Sequence, residues 1–223
     1  MSNIDRKKEI IDTINKIAGK YSAYEVFTDW IRCMAMAITN SLSMVHGKLW
    51  EENEAAYKST MEKYTLEEQK SLCAMMGYLV DTLEDGPDDV LGDIYMKSGM
   101  GSKAAGQFFT PFHLSELCAK MGVSEIPDDD SIIEINEPSC GGGGMILAAA
   151  KALGEMGVNW QQRMKVVAQD LDWKGVYMCY VQLSLLGIKA VCVQGNTLTE
   201  PYDIRKTERS HMLFTPAWMG VLL

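Results

Sequence analysis

The first hundred residues carry apolar side chains at the three-to-four residue spacing that is typical of amphipathic helices. Apolar residues recur in this way from Ile10 to Ile17 and again from Val26 to Leu42. Thr65 begins a capping-box sequence and predicts the start of a third helix. The Gly86-Pro87 pair ends that helix, and a short helix from Asp88 to Lys97 follows. This part of the chain is therefore predicted to be entirely helical.

In the second half of the chain the spacing of apolar residues changes. Short apolar runs alternate there with the three-to-four residue spacing of helices. Strands are predicted at Ile132–Ile135, Met164–Gln169, Lys189–Gln194 and His211–Phe214. Helices are predicted at Met145–Leu153 and Trp173–Leu186. This alternation is typical of βαβ units. We therefore predict an α/β fold, with a helical region at residues 1–100 and a partial doubly wound parallel sheet at residues 101–223.

Composition and charge narrow the classes of protein that fit. Hydrophobic residues make up 47% of the chain and charged residues 23%, as in ordinary soluble domains. The formal charge of −9 predicts weak non-specific binding to DNA, because that binding depends on Lys and Arg. A partner or a local patch would have to supply positive charge. The charged N-terminus predicts no secretory signal, and no apolar run is long enough to span a membrane, so we expect a cytoplasmic protein.

The cysteines and histidines do not indicate a metal site or disulfides. The chain has six cysteines and three histidines, but no two cysteines form a CxxC pair and the histidines do not cluster with them. We therefore expect no metal, and free buried thiols in a reducing compartment.

A glycine-rich loop, Glu137-Pro-Ser-Cys-Gly-Gly-Gly-Gly144, follows the first predicted strand and precedes a predicted helix. A helix N-terminus offers unpaired N–H groups, and glycine lets the backbone approach a ligand closely. The dinucleotide fingerprint would need glycine at Ile146, and the phosphate loop would need lysine, so both are disfavoured. A purely structural turn would not require four consecutive glycines. Asp170 ends the next strand, where such folds place an acid that binds ribose.

Four segments resemble the adenine-N6 DNA methylase family, in particular the modification subunits of type I restriction–modification systems. Gly106–Pro111 is similar to the family motif GQF[YF]TP, and Glu137–Met145 is similar to [DN]PxCGSGG[FM]. Gln169-Asp170 resembles a Gln-Glu pair, and Gly195–Leu198 resembles Gly-Asp-Thr-Leu. The resemblance implies the Rossmann-like fold of the S-adenosylmethionine-dependent methyltransferases, with S-adenosylmethionine as cofactor.

The resemblance also implies which residues bind the cofactor. They are Phe109, Thr110, Pro111, Glu137, Ser139, Cys140, Gly141, Gly143, Asp170, Leu171, Asn196 and Thr197. Within this set, the Phe109–Pro111 segment is expected to contact the methionine end and Asp170 the ribose. Asn196 replaces an aspartate that contacts the adenine amine, and its amide oxygen can still accept that hydrogen bond. Thr110 and Pro111 also fit a helix N-cap followed by a proline at the first helical position.

The family transfers the methyl group through the motif [DN]PP[YF], which follows the fourth strand and binds the flipped adenine. In this chain the corresponding tetrapeptide is Thr215-Pro-Ala-Trp218, so Thr215, Pro216 and Trp218 are the candidate catalytic residues. A threonine hydroxyl is a shorter and weaker acceptor than a carboxamide. Loss of one preorganised hydrogen bond typically lowers the rate by about 10²–10³, which predicts negligible turnover.

Two functions remain open from the sequence. The chain is either a DNA adenine methyltransferase domain that acts on DNA with a partner specificity subunit, or a non-catalytic cofactor-binding or assembly module of a restriction–modification or mobile-element system. A small-molecule methyltransferase fits the glycine loop but not Gly106–Pro111. The chain is either a degenerate relative or a portion of a longer protein. Pairing of two copies would cover the open sheet edge that follows the fourth strand.

Overall fold

The computed structural model of the chain describes residues 2–100, 109–123 and 129–221. The helices within these ranges are α1 (Asn3–Ile17), α2 (Ala23–Ser41), α3 (Lys48–Met61), α4 (Leu66–Leu83), α5 (Val90–Lys97), α6 (Phe112–Gly122), α7 (Gly144–Glu155), α8 (Trp160–Arg163) and α9 (Trp173–Leu185). The strands are β1 (Ile133–Glu137), β2 (Met164–Asp170), β3 (Lys189–Gln194) and β4 (Met212–Phe214). The proposed domain boundary at residue 101 lies outside the described residues and stays a prediction.

The N-terminal helices begin at side chains that cap them. Thr65 accepts a hydrogen bond from the Glu68 N–H, and Glu68 accepts one from the Thr65 N–H, so the predicted capping box is confirmed. Ser2 and Ser22 form the same arrangement before α1 and α2. The sequence did not predict α3, because Thr60 is the only residue of this helix that is buried and no apolar stripe marks its face.

The strands form one sheet in the order β1-β2-β3-β4. The pairs β1–β2 and β2–β3 are parallel, with Glu137 opposite Ala168 and Asp170 opposite Gln194. The carboxyl ends of these three strands therefore meet at one edge of the sheet. The predicted α/β class with helices packed on a partly parallel, Rossmann-like sheet is confirmed.

The fourth strand is the exception to the predicted parallel arrangement of the strands. This strand runs antiparallel to β3, with Phe214 opposite Val191. A parallel strand needs a crossover of a dozen or more residues, usually a helix, to return the chain to the starting edge. Residues 195–211 contain turns and one 3-10 turn but no α-helix. The chain therefore enters β4 from the carboxyl edge of the sheet and runs back along β3.

The helices and the sheet share a main hydrophobic core in the described part of the chain, and Val191, Val193 and Met212 form a second, smaller cluster. The main core extends from Ile10 in α1 to Leu213 in β4. Helix α2 packs on α9, where Thr39 Oγ1 donates to Tyr180 Oη at 3.1 Å. No helix in the described ranges has the length and apolar character needed to cross a membrane.

Candidate functional site

A cavity of about 460 Å³ opens at the carboxyl ends of β1 and β2, where ligands bind in open α/β sheets. Its lining residues are Asp89, Phe109, Thr110, Ser115, Glu137, Ser139, Cys140, Gly141, Gly142, Gly144, Met145 and Asp170. More than half of them belong to the set predicted to bind the cofactor, namely Phe109, Thr110, Glu137, Ser139, Cys140, Gly141 and Asp170. The volume falls within the range of small-molecule sites.

The glycine loop adopts backbone conformations that side chains disfavour. Gly141 has φ +49° and Gly143 has φ +94°, both in the left-handed region. A methyl group built on Gly141 would lie 2.7 Å from Cδ1 of Phe109. The Phe109 ring therefore packs directly on the loop backbone, and this contact joins the segment before α6 to the strand β1 that precedes the loop.

Replacement of Gly141 by alanine tests this close approach, with Gly157→Ala as its matched control. Gly157 is also left-handed, with φ +78°, but a methyl group there meets no atom within 4 Å. We expect Gly157→Ala to cost about 1 kcal/mol of unfolding free energy from backbone strain alone. Gly141→Ala should cost about 2–4 kcal/mol, because the Phe109 ring must also move. Urea unfolding measures both values, and equal destabilisation would contradict the packing argument.

Asp170 anchors the glycine loop from the end of β2. Its Oδ2 accepts a hydrogen bond from Gly141 N at 2.8 Å, and its Oδ1 accepts one from Asp172 N at 2.9 Å. Asp172 in turn caps α9 by accepting from Lys174 N. A carboxylate has about four acceptor sites, so Asp170 retains acceptor capacity toward the cavity that it lines.

The cavity is acidic. Glu137 ends β1, and its Oε1 accepts a hydrogen bond from Ser139 N at 3.2 Å. Burial raises the pKa of Glu137, the Ser139 hydrogen bond opposes that shift, and the Asp170 carboxylate adds to it. Asp89 contributes a third carboxylate, and no Lys, Arg or His is found among the described residues of the lining. Such a site attracts a cationic ligand and repels phosphates.

The sequence did not predict Asp89 as a site residue. Asp89 caps α5, and its Oδ1 accepts hydrogen bonds from Gly92 N and Gln182 Nε2, each at 3.0 Å. Gln182 Nε2 also donates to Gly142 O at 2.8 Å, and Gln182 Oε1 accepts from Leu91 N at 2.9 Å. Burial raises the pKa of Asp89 against the opposing effect of its own hydrogen bonds. Gln182 therefore ties α5 to the glycine loop.

The lining includes four more residues that sequence reasoning missed, namely Ser115, Gly142, Gly144 and Met145. The glycines and Met145 lie within the loop sequence that was singled out, so their position was available as a signal. Ser115 lies on α6 inside an apolar pattern, and nothing in its local sequence indicates a ligand.

The start of α6 differs from the predicted cap. The helix begins at Phe112, and Pro111 occupies the N-cap position without a side-chain hydrogen bond. The interpretation of Thr110 as the cap is therefore wrong by one residue. The reason is that the Pro111 carbonyl, rather than that of Thr110, accepts from Leu114 N at 2.9 Å. The Thr110 side chain is left to line the cavity, and Pro111 lines a smaller neighbouring cavity.

The other predicted binding residues lie around the cavity rather than in its lining. Leu171 is 68% exposed. Asn196 Oδ1 accepts from Leu198 N at 3.0 Å and so closes a turn after β3. Thr197 Oγ1 donates to Pro138 O at 2.7 Å, which joins the loop after β3 to the loop after β1. Gly143 is the N-cap residue of α7 and is not among the lining residues. Residues 106–108 of the GQFFTP segment lie outside the described residues.

Thr215 is fully buried at the opposite end of the sheet from the cavity. Its Oγ1 donates to Ile188 O at 2.7 Å and accepts from Ala190 N at 2.9 Å. Ala190 is the second residue of β3, whereas Asp170 pairs with Gln194 at the last residue of that strand. At about 3.3 Å per residue, Thr215 is separated from the level of Asp170 by roughly 13 Å along the strand. Its hydroxyl is already engaged in the fold.

Pro216 and Trp218 lie with Thr215 at the amino end of the sheet. Pro216 is buried, and the Trp218 ring packs against Lys165 Nζ at 5.3 Å. Lys165 is the second residue of β2, so Trp218 is also far from the carboxyl ends of the strands. The structure thus brings seven of the twelve predicted cofactor residues together in the cavity lining but does not bring the predicted catalytic residues to them. The antiparallel direction of β4 is the physical reason.

Comparison with known proteins identifies the family. Residues 87–218, more than half of the chain, match the family described as N-6 DNA Methylase. S-adenosylmethionine is the methyl donor of this family, so the predicted cofactor is confirmed together with the predicted family. The acid-lined cavity at the glycine loop is chemically suited to this cationic molecule.

The similar proteins are longer than this chain. The Type I restriction enzyme MpnII methylase subunit of Mycoplasma pneumoniae is 28% identical over 108 residues, covering 46% of this chain and 19% of the relative. A solved type I restriction-modification system methyltransferase subunit from Streptococcus thermophilus is 16% identical with a TM-score of 0.44, covering 82% of this chain and 42% of that chain. A solved Listeria monocytogenes protein assigned to the class I S-adenosylmethionine-dependent methyltransferases is 13% identical with a TM-score of 0.47, covering 83% and 52%.

The chain therefore spans about a fifth of the length of the curated relative and about half or less of each solved one. The family match itself covers both the glycine loop and the segment before α6 that packs on it. The chain belongs to the N-6 DNA methylase family.

Proposed function

We propose that this chain is the S-adenosylmethionine-binding part of a DNA adenine-N6 methylase of a restriction–modification or mobile-element system, and that it binds the cofactor without methylating adenine by itself. The observation that carries the proposal is the acidic cavity at the glycine loop, where Asp89, Glu137 and Asp170 converge. S-adenosylmethionine carries a sulfonium and an ammonium against one carboxylate. Its net positive charge suits three acids, whereas the phosphates of a dinucleotide or nucleotide triphosphate would be repelled.

The ribose would lie against the ends of β1 and β2. Asp170 keeps acceptor capacity after binding Gly141 N, and Glu137 has one oxygen that accepts no hydrogen bond from the described residues. Carboxylates placed at these strand ends accept hydrogen bonds from ribose hydroxyls. Asn196 and Thr197, on the loop after β3, would border the adenine, and Phe109 to Pro111 the methionine end.

The non-catalytic alternative is favoured over the catalytic one by the position of Thr215. A residue that activates the adenine amine must lie within hydrogen-bond reach of that nitrogen. Thr215 donates and accepts within the sheet, at the end away from the cavity. Methyl transfer would therefore need catalytic residues other than Thr215, Pro216 and Trp218.

The proposed partners follow from charge and family. The acidic chain has little basis for binding DNA alone, so DNA contact is proposed to come through a partner specificity subunit in the cytoplasm. Pairing of two copies along an open sheet edge stays a prediction. Within the described residues, β4 has a strand on one side only, and an unpaired edge is a template for such contact.

Calorimetry with S-adenosylmethionine tests the proposal. The parent chain should bind, and Asp170→Ala should weaken binding by about 10- to 100-fold, because it removes a charged acceptor and frees Gly141 N, together worth about 1.5–3 kcal/mol. Asp203→Ala is the control, since Asp203 also accepts a hydrogen bond two residues on, from Arg205 N, but does not line the cavity. Absence of binding in the parent would overturn the proposal.

A further inference from the structure

Two buried polar side chains of the cavity lining have unused hydrogen-bonding capacity. Ser115 is fully buried, and its Oγ has no hydrogen-bond partner among the described residues. Asp89 is 4% exposed, and within the same ranges both of its hydrogen bonds go to Oδ1 while none goes to Oδ2. Buried polar groups are nearly always paired in native proteins. Their free atoms therefore indicate a polar ligand.

The second oxygen of Asp89 is not needed for the fold. Capping of α5 and the contact with Gln182 both use Oδ1. The glycine loop leaves room for the carboxylate, since a methyl group on Gly144 would lie only 3.0 Å from Oδ2. The loop thus lacks side chains where it passes Asp89, and the free oxygen lies at the wall that a bound cofactor would contact.

Ser115 lies in the first turn of α6, which has anion-binding character. This helix starts without a side-chain cap, and the N–H groups of Phe112 and His113 make no hydrogen bond to the described residues. The N-terminus of a helix favours negative charge through such groups and through the helix dipole. The Ser115 hydroxyl can add a hydrogen bond to the same anion. Ser115 and Asp89 line the same cavity, and Asp89 also lines the neighbouring cavity together with Phe112 and His113.

A free amino acid end has the complementary pair of charges, one ammonium and one carboxylate. We propose that Asp89 and Ser115 form the subsite for the amino-acid end of S-adenosylmethionine, in which Asp89 Oδ2 accepts a hydrogen bond from the α-ammonium and Ser115 Oγ donates one to the α-carboxylate. This inference rests on the proposed function, because it assigns residues to the methionine end of the same cofactor. It gives the unpaired oxygens of both side chains a partner.

A substitution at Asp89 can change the affinity for the cofactor without changing the stability of the fold. Burial raises the pKa of Asp89, which means that the ionised carboxylate is disfavoured in the folded chain without a cation nearby. Asparagine keeps the shape and the Oδ1 acceptor and removes the charge. Asp89→Asn should therefore fold as well as the parent while losing a charge-assisted hydrogen bond to the ammonium.

The experiment compares two ligands by calorimetry. S-adenosylmethionine has the amino-acid end, and 5′-methylthioadenosine lacks it. We expect Asp89→Asn to raise the Kd for S-adenosylmethionine by about tenfold or more, and Ser115→Ala by about threefold to tenfold. Both variants should bind 5′-methylthioadenosine within about twofold of the parent. Ser184→Ala is the control, because Ser184 is a buried serine outside the cavity lining, and it should leave both affinities unchanged.

Each outcome decides between the two proposals. If the parent binds neither ligand, the proposed function fails. If the parent binds S-adenosylmethionine and both variants keep its affinity, the subsite is wrong while the proposed function stands. If a variant weakens both ligands equally, a general disturbance of the cavity replaces the subsite. Thermal unfolding monitors folding, and Ser115→Ala provides the test if Asp89→Asn does not fold.

Discussion

Gln182→Leu is expected to lower the free energy of unfolding by about 2–6 kcal/mol, because the buried Leu91 N and Gly142 O lose their partner and each unpaired group costs about 1–3 kcal/mol. Asp89 Oδ1 loses one of its two hydrogen bonds and keeps the one from Gly92 N. Gln182 is fully buried. Its amide accepts from Leu91 N and donates to Asp89 Oδ1 and to Gly142 O. Leucine fills a similar volume but replaces none of these bonds. The total free energy of unfolding of a natural domain is about 5–15 kcal/mol. A loss of this size should therefore bring the variant close to unfolding.

Gln161→Leu is the matched control for Gln182→Leu. Gln161 is exposed, and its Nε2 donates a single hydrogen bond to Leu186 O at 2.9 Å, so its loss should cost about 1 kcal/mol or less. Urea unfolding followed by circular dichroism measures both variants. A cost below about 1.5 kcal/mol for Gln182→Leu would contradict its role as the link between α5 and the glycine loop. Residual folded Gln182→Leu should also bind S-adenosylmethionine poorly, because Asp89 and Gly142 lose their common anchor.

Thr215→Asn is expected to destabilise the chain by about 2–4 kcal/mol and to leave it without methyltransferase activity. The resemblance to [DN]PP[YF] would suggest the opposite, that an amide at this position restores an acceptor for the adenine amine. Thr215 is however fully buried and bonded to β3. A larger amide does not fit that space, and an acceptor there lies far from the cavity that would hold the methyl donor.

Two variants separate the contribution of the Thr215 hydroxyl group to stability from that of the side-chain shape. Thr215→Ser keeps the hydroxyl and should lose about 1 kcal/mol, whereas Thr215→Val keeps the shape and should lose about 2–3 kcal/mol with its hydrogen bonds. Incorporation of labelled methyl into adenine-containing DNA is measured in parallel. Robust methylation by the parent would contradict the proposal of a non-catalytic chain. Methylation gained only in Thr215→Asn would contradict the position of Thr215 at the amino end of the sheet.

The cavity at the glycine loop was predictable because its main parts lie close together in the sequence. A strand, a glycine loop and a helix follow one another between Ile133 and Glu155, and local backbone preferences are enough to specify them. Asp170 could be predicted in the same way, since the residue that ends the second parallel strand necessarily lies at the same edge of the sheet as the loop after the first. Phe109 and Thr110 required the motif, because no periodicity places them beside Gly141.

The tertiary structure alone decided the parts that depend on contacts distant in sequence. Asp89 has the local appearance of a helix cap, and only the packing of α5 against α9 places it beside the glycine loop and Gln182, 93 residues away. The direction of β4 likewise depends on the path of residues 195–211, where no crossover helix forms. The sequence by itself therefore determined the family and the position of the cavity at the glycine loop, whose main parts are local. The tertiary structure decided which buried acid joins that cavity, and it placed Thr215 at the far end of the sheet, because strand direction follows from the connection between strands rather than from the residues of the strand itself.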